Sequence, residues 1–342
     1  ENIDLSDLSD DEVQLYFGTI KNRELLKKAL HELQKKIINE RLIGELLYEH
    51  HTVLRDDLKV STPKIEKMID AAMNAGALGA KINGSGGGGC MFAYAPNKTE
   101  NVLEAAIVGT EVALDLIDMS THSGEHARMG AVDVVPFIPI RDVTMEECVQ
   151  LSIQYAEEVS SRYDLSIYLY AEAARKSDRI RLPDIRRGEY EGFSEKINED
   201  NWFPDFGPSI FNPKWGVTAT GARNILIAYN VNLDTDDKIS ASRIAGKIRT
   251  SGVLRKDENG DKMFDEDGKA LRIPGRFESL QAAGWMYNDQ TAQVSMNFLD
   301  YAKSTLHAVT EAISAEANEM GLTTTAGELV GLVPLNAMLD AG

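Results

Sequence analysis

The chain has 342 residues, 43% of them hydrophobic, and a formal net charge of -18. That length holds two or three compact units with a buried core, and no run approaches the roughly 18 to 20 apolar residues of a membrane helix. Residues 1–98 carry 13 basic and 15 acidic side chains, so sixteen of the net negative charges fall on residues 99–342, a field that argues against nucleic-acid binding and obliges an anionic substrate to find a local basic pocket.

In chain order, the opening "ENIDLSDLSDDEVQLYFGTI" is acidic and lacks the apolar segment of a signal peptide. With no initiator Met and an ending at "LDAG", the chain reads as a fragment. Residues 9–76 predict helices. "NRELLKKALHELQKKII" has helical apolar spacing. "STPKIEKMIDAAMNAGAL" offers Ser61 or Thr62 as N-cap, Pro63 at the first helical position and Gly76 near its end. "CMFAYA" then reads as a strand. Beyond residue 98 the pattern alternates: a helix over about 99–117, the strand-like "AVDVVPFIPI", a helix over about 144–161, the strand "SIYLYA", the strand "ILIAYNVNL", a helix near 237–249, the strand "QVSMNFLDY" and a helix near 304–319. Residues 251–275 hold the turn signals "DENGD" and "DEDGK" and predict a β-hairpin; Met263 and Phe264 fall where an EF-hand would need ligands. The fold class is α+β, an α/β sandwich with helices on one face of each sheet. Cys90 and Cys148 form neither a CxxC nor a metal spacing, which fits a reducing, cytoplasmic setting.

Two stretches carry candidate chemistry. "ALGAKINGSGGGGCMFAYAP" (77–96) holds the glycine run Gly84–Gly89. A phosphate cradle wants N–H groups converging at a helix N-terminus, but a strand follows this run, so it reads as a tight turn with close backbone packing. His50 and His51, adjacent on a helix, point in different directions and read as packing or surface residues. "HSGEHARMG" places His122, Glu125, His126 and Arg128 in a polar loop bounded by glycines. Histidine is suited to proton transfer near neutral pH. Gly124 argues against the helix that would make the two histidines a zinc pair, and no metal site is expected. Arg128 suits a substrate carboxylate, with a structural ion pair as the alternative. "DFGPSIFNPKWGVTATGAR" combines Gly207, Pro208, Gly216 and Gly221, an irregular chain suited to hugging a flat ligand, with Phe211 and Trp215 placed to flank its ring. From its residue type alone Trp215 is a core aromatic. Lys214, Arg223, Arg186 and Arg187 are the cations on hand for a basic pocket.

Residues 44–96, with "LRDDLKVSTP" ahead of "GALGAKINGSGGGGC", resemble the C-terminal end of the GHMP small-molecule kinases, galactokinase-like members in particular. The resemblance makes the glycine run that family's third motif, a support for a nucleotide loop whose own segment does not occur here. From about residue 99 the chain resembles the formiminotransferase domain. The strings that carry this are "LIDMSTHSGEHARMGAVDVVPFIPI" (116–140), "YLYAEAARKSDRIRLPDIRRGEYEG" (168–192), "WFPDFGPSIFNPKWGVTATGARNILIAYNVNL" (202–233), "AQVSMNFLDY" (292–301) and "GELVGLVPLNAMLDAG" (327–342).

The second resemblance implies transfer of a formimino group from N-formimino-glutamate to tetrahydrofolate, the co-substrate. It makes His126 the general acid/base and places folate along Gly207–Gly216, including Ser209; Arg128 and Arg223 join them as binding residues on the strength of their charge alone. It also implies a possible homodimer acting on small molecules, with neither nucleic acid nor membrane as partner. The chain then divides into a kinase-like segment (1–98), an N-terminal subdomain (99–222) and a C-terminal subdomain (223–342), with the join between Cys90 and Val108. The family's opening strand with a "VPNFSEG"-like motif and its Asn-Arg-Thr segment do not occur here. Either the N-terminal subdomain's sheet loses strands and exposes an edge, or the kinase-like strands complete it. The alternatives in function are an ATP-dependent sugar kinase fragment and a fusion that binds folate without turnover.

Overall fold

The computed structural model describes residues 5, 6, 8–83, 86, 87, 89–96, 99–123, 127–140, 142–266, 268, 270–331 and 333–341. These form two compact units, Glu1–Arg223 and Asn224–Gly342.

The first unit opens with helices α1 (Asp10–Leu33), α2 (Glu40–Thr52) and α3 (Pro63–Asn74). Each start is set by a capping side chain: Ser9 with Glu12 in a capping box, Asn39, and Thr62 ahead of Pro63. These groups satisfy helix N–H donors that have no partner within the helix. Strands β1 (Gly79–Asn83) and β2 (Cys90–Tyr94) pair antiparallel across the glycine run. The run is thus a hairpin connection, with positive φ at Gly86, Gly87 and Gly89; Gly84, Ser85 and Gly88 lie outside the described residues. His51 is fully buried. Its Nδ1 accepts the Ile82 N–H at 3.4 Å and its Nε2 donates to Glu66 at 2.9 Å, which fixes the tautomer. Arg55 and Ser61 donate to the same carboxylate. His51 is therefore a packing residue, one that caps an edge of β1.

Helix α4 (Thr99–Leu116) packs on α3 and on α5 (Met145–Tyr163). A buried hydrogen bond of 2.6 Å joins Thr110 of α4 to Tyr155 of α5. Strands β3 (Val134–Phe137), β4 (Ile167–Ala171) and β5 (Thr218–Ala222) form a parallel sheet in the order β3-β5-β4. Side chains alternate across a strand. Ile167 and Leu169 therefore enter the cluster with Tyr155, Val159 and Leu114 under α4 and α5. Tyr168 and Tyr170 enter the cluster on the other face, with Ile185, Phe193 and Ile197. That second face is covered by the segment carrying α6 (Leu182–Ile185) and α7 (Glu189–Lys196).

The kinase-like strands do not complete this sheet: β1 and β2 form a separate two-stranded one. The sheet's edges are managed locally instead. Beside β4, Ile167 exchanges backbone hydrogen bonds with Asp205 and Phe206. At the other edge, β3 carries Pro136, which has no N–H to offer another strand.

The second unit is a four-stranded antiparallel sheet ordered β11-β6-β10-β9, built from β6 (Ile227–Leu233), β9 (Leu280–Asn288), β10 (Thr291–Phe298) and β11 (Thr324–Val330). Helices α8 (Lys238–Ile248) and α9 (Leu306–Glu319) supply Ile244, Ile248, Val309 and Ile313 to the core beneath them, with Val231, Val294 and Phe298 from the strands. Between α8 and β9 lies the expected hairpin, β7 (Val253–Leu254) with β8 (Arg272–Ile273). The Asp257 carboxylate accepts the backbone N–H groups of Asn259 and Asp261, so it builds its own turn. The short helix α10 (Leu335–Leu339) ends the chain's regular structure. Among the described residues no helix is long and apolar enough to cross a membrane.

The most heavily constrained group in the first unit is Arg179, whose side chain is fully buried. It pairs with Asp205 at 2.6 Å and donates to the carbonyls of Asn201 and Phe203. Its guanidinium also lies 4.9 Å from the Tyr168 ring centre. Asp205→Ala would strand this cation and should cost about 3–5 kcal/mol, read as a lower urea midpoint, whereas the apolar pair Arg179→Met with Asp205→Leu should recover most of the loss. A second expectation concerns His50. Burial first, then the Lys81 charge, push its pKa down to about 4 from an ordinary 6.5. The unfolded chain then takes up a proton between pH 6.5 and 4 that the folded chain refuses, so stability falls as pH drops through that window. Urea titrations at pH 6.5 and pH 4.5 should show this fall, and His50→Gln should make it smaller.

Candidate functional site

The loop "HSGEHARMG" leaves the short turn after α4 and enters β3. Gly124, Glu125 and His126 lie outside the described residues; the flanks on both sides are defined. Asp118 accepts the Ser120 N–H, turning the chain after α4. Met119 N–H donates to the Lys214 carbonyl at 2.8 Å. On the far side, the Arg128 side chain is 13% exposed. It donates to both Glu191 oxygens at 2.6 and 3.0 Å, to Glu189 at 3.3 Å, to His122 Nδ1 at 3.4 Å and to the His122 carbonyl at 3.3 Å. The Tyr190 N–H in turn donates to the Arg128 carbonyl at 2.8 Å. Arg128 thus ties the two ends of the loop to each other and to the first turn of α7. The Glu191 carboxylate is held below its usual range chiefly by this Arg128 hydrogen bond.

The loop's exit depends on Asp133, a non-glycine residue with φ of 60°. Its carboxylate accepts the Met129 N–H at 2.9 Å and pairs with Arg186. These bonds compensate for a left-handed conformation that disfavours an ordinary side chain.

Segment 207–216 runs beside this loop. Gly207 and Gly216 have φ of 80° and 64°, and a Cβ on either would stand 2.2 Å from a carbonyl oxygen, of Leu165 or Met129 respectively. Both glycines therefore serve close approach of backbone to backbone. The Pro208 carbonyl accepts from Ser166 Oγ at 2.6 Å, and the Pro213 carbonyl from Tyr190 Oη at 2.5 Å. Asn212 caps its own turn by accepting the N–H groups of Lys214 and Trp215. Between these anchors Ser209 is exposed and Ile210 is 73% exposed, so the segment offers a free tip held at both ends.

The two aromatic residues of the segment do not face each other as walls of one slot. Trp215 donates its indole N–H to the Leu114 carbonyl at 2.9 Å and packs on the cluster beneath α4 and α5. Phe211 packs on the cluster of the opposite sheet face, with its ring 5.3 Å from that of Tyr190. Arg128 lies 5.9 Å from the Tyr190 ring. The structure thus brings together His122, Arg128, Tyr190 and Phe211, with Trp215 behind as a core anchor.

Arg223 does not join them. It follows the C-terminal end of β5, whereas Gly216 precedes its N-terminal end. Seven residues of extended chain separate the two, about 23 Å. There Arg223 lies near the Tyr170 hydroxyl, whose pKa burial raises. Lys214 is exposed near the Trp215 ring, Arg186 is committed to Asp133, and Arg187 pairs with Asp184. Residue-type reasoning missed Asp133, Glu189, Tyr190 and Glu191. The signal for the last three was the acidic pair in "GEYEG", adjacent to the arginines that drew attention. A groove of about 810 Å³ between α3 and α4 is lined by residues that include Asp70, Glu104, Glu111 and Asp115, and it includes none of these site residues.

The loop and segment geometry sits within residues 91–223, which match the model of the formiminotransferase domain's N-terminal subdomain; residues 228–342 match that of the formiminotransferase domain. Glutamate formimidoyltransferase of Streptococcus pyogenes is 39% identical over 242 residues, 70% of this chain and 74% of the relative. The chain belongs to the formiminotransferase family. Formimidoyltransferase-cyclodeaminase of Sus scrofa is 44% identical over 245 residues, 71% of this chain, and the chain spans 42% of that relative's length. Residues 22–108 match the C-terminal model of GHMP kinases, and mevalonate kinase of Thermococcus gammatolerans is 49% identical over 88 residues, a quarter of its length. The formiminotransferase and kinase models overlap on residues 91–108, through β2 and the first half of α4.

Gly216→Ala tests the backbone contact on which the segment depends. It adds a methyl group where a carbonyl stands 2.2 Å away, at a positive φ. The expected loss is about 1–3 kcal/mol of unfolding free energy, measured by urea denaturation.

Proposed function

We propose that this formiminotransferase transfers a formimino group from N-formimino-glutamate to tetrahydrofolate, with His126 as general acid/base. The observation that carries the reading is the clamped loop. Arg128 holds the flanks of "HSGEHARMG" beside segment 207–216, the stretch that the family resemblance assigns to folate. The folate N5 amine attacks the amidine carbon, and a tetrahedral adduct forms. His126 takes the proton from N5 and returns one to the glutamate nitrogen as the C–N bond breaks. Both reactants bring carboxylates into an acidic protein, so they need cations close at hand. Arg128 is the cation within the loop, and a substrate carboxylate seats on it bidentately. The exposed tip at Ser209 and Ile210, with Phe211 and Tyr190 beside it, offers folate an apolar and aromatic surface. Gly207, Pro208 and Gly216 shape that surface, Trp215 supports it from the core, and Arg223 meets a more distant carboxylate.

A second reading, folate binding without turnover, draws on a specific feature: among the described residues the parallel sheet has three strands, and the preceding hairpin does not extend it. One assay separates the two. The protein is mixed with formiminoglutamate and tetrahydrofolate, and formation of 5-formimino-tetrahydrofolate is followed. Turnover is expected, with His126→Ala lowering kcat by about 100-fold or more. Unchanged turnover in that variant overturns the role of His126. Binding of folate with no turnover in the parent chain selects the second reading.

A further inference from the structure

Arg128 is the cation best placed to meet a substrate carboxylate, yet a carboxylate of the protein already occupies it. Glu191 meets the guanidinium with two parallel hydrogen bonds of 2.6 and 3.0 Å, the bidentate geometry in which carboxylates frequently bind arginine. The two partners differ in how firmly they are held. The Arg128 side chain is 13% exposed and bound on other sides by Glu189 and His122. The Glu191 side chain is 62% exposed. The residues around the pair would also suit a ligand, since the Tyr190 ring lies beside Arg128 and Phe211 beside Tyr190.

We infer that Glu191 is a resident stand-in for the substrate carboxylate, occupying its seat on Arg128 until N-formimino-glutamate displaces it. The inference rests on the proposed function and adds a residue that tunes its substrate affinity. When the substrate arrives, one bidentate carboxylate exchanges for another on Arg128. Glu191 swings into solvent, where a glutamate is fully hydrated, and Glu189 with the His122 carbonyl keeps the guanidinium in place. Between turnovers the cation never stands unpaired, and the flanks of the histidine loop stay tied to α7. The cost is competition, because every substrate carboxylate must first displace Glu191. Removing the Glu191 charge should therefore tighten binding, whereas removing an ordinary ligand contact weakens it.

The test uses calorimetry on the full chain with N-formyl-L-glutamate, which has the substrate's carboxylates and no transferable formimino group. Glu191→Gln should bind it about fivefold more tightly than the parent chain, the fold-change corresponding to loss of an exposed ion pair. Arg128→Gln should bind it more weakly than the parent chain. N-formyl-glutamate dimethyl ester should show no gain in the Glu191→Gln variant. In the transfer assay Glu191→Gln should lower KM for formiminoglutamate. Weaker or equal binding of N-formyl-glutamate by Glu191→Gln overturns the inference, as does absence of binding to both proteins. Tighter carboxylate binding without transfer in any form retains the stand-in role and refutes the proposed reaction instead. A thermal melt of each variant accompanies the titrations; a purely structural Glu191 would give a lower Tm together with weaker binding.

Discussion

The buried pair of Arg179 and Asp205 is the constraint on which the first unit's site depends. Asp205 accepts from Arg179 and from the Leu169 N–H of β4 through the same oxygen. Arg179 gathers the carbonyls of Asn201 and Phe203. Together they press residues 201–206 against the edge of β4, and segment 207–216 starts from that fixed edge. A buried ion pair is an expensive way to gain stability, since desolvation offsets most of the attraction. It does impose direction. Guanidinium, carboxylate and two carbonyls can meet in few arrangements, and this one launches Gly207 toward Leu165. The segment's other end is fixed by backbone contact at Gly216. Only the tip, at Ser209 and Ile210, is left free to meet a ligand.

Charge around the loop obeys the same logic of internal pairing. Opposing the protein's strong negative charge requires a local basic pocket, yet each arginine nearby has a carboxylate of its own: Arg128 with Glu191, Arg186 with Asp133, Arg179 with Asp205. These pairs differ in burial, and burial sets what each can do. Arg179 with Asp205 is sealed and cannot exchange partners without leaving an unpaired charge in the interior. Arg186 with Asp133 is half-buried and stabilises a left-handed residue. Arg128 with Glu191 has one anchored partner and one solvated partner, so it alone of the three can trade its carboxylate cheaply.

Much of this was legible in the sequence because it rests on periodicity and caps. The helices α3, α4, α5, α8 and α9 follow apolar spacing with Thr62, Thr144, Asp237 and Thr305 at starts where a side chain caps. Strand β5 was not legible. "TATGA" is short and lacks the large β-branched run of a buried strand, yet all five residues are buried at the centre of the parallel sheet. Its side chains are small because the Tyr170 backbone lies against Gly221 and helix α5 lies across the strand. The site was legible as a set of strings but not as a geometry. Phe211 and Trp215 stand four residues apart and suggest a shared slot, but the intervening turn sends one ring to each face of the sheet. Glu191 could not be distinguished from an ordinary surface acid, because its partner lies 63 residues away.

The junction of the two family resemblances is tolerable for a reason visible in α4. This helix, "TENVLEAAIVGTEVALDL", carries small and aliphatic residues on more than one face. It therefore packs against α3 on the kinase-like side and against α5 on the formiminotransferase side. Ala105, Ile107, Ala113 and Leu114 are buried, and Thr110 satisfies its hydroxyl against Tyr155. A helix that buries two faces needs neighbours of the right shape, not neighbours from one ancestry. A sheet is less permissive, because register and backbone hydrogen bonds must match strand by strand. Accordingly the two resemblances meet through helix packing, while β1 with β2 and the parallel sheet remain separate ladders. The glycine run between β1 and β2 connects the two strands of the hairpin. It turns the chain so that β2 can lead into α4, and the chemistry we propose lies downstream, at the loop whose flanks Arg128 joins.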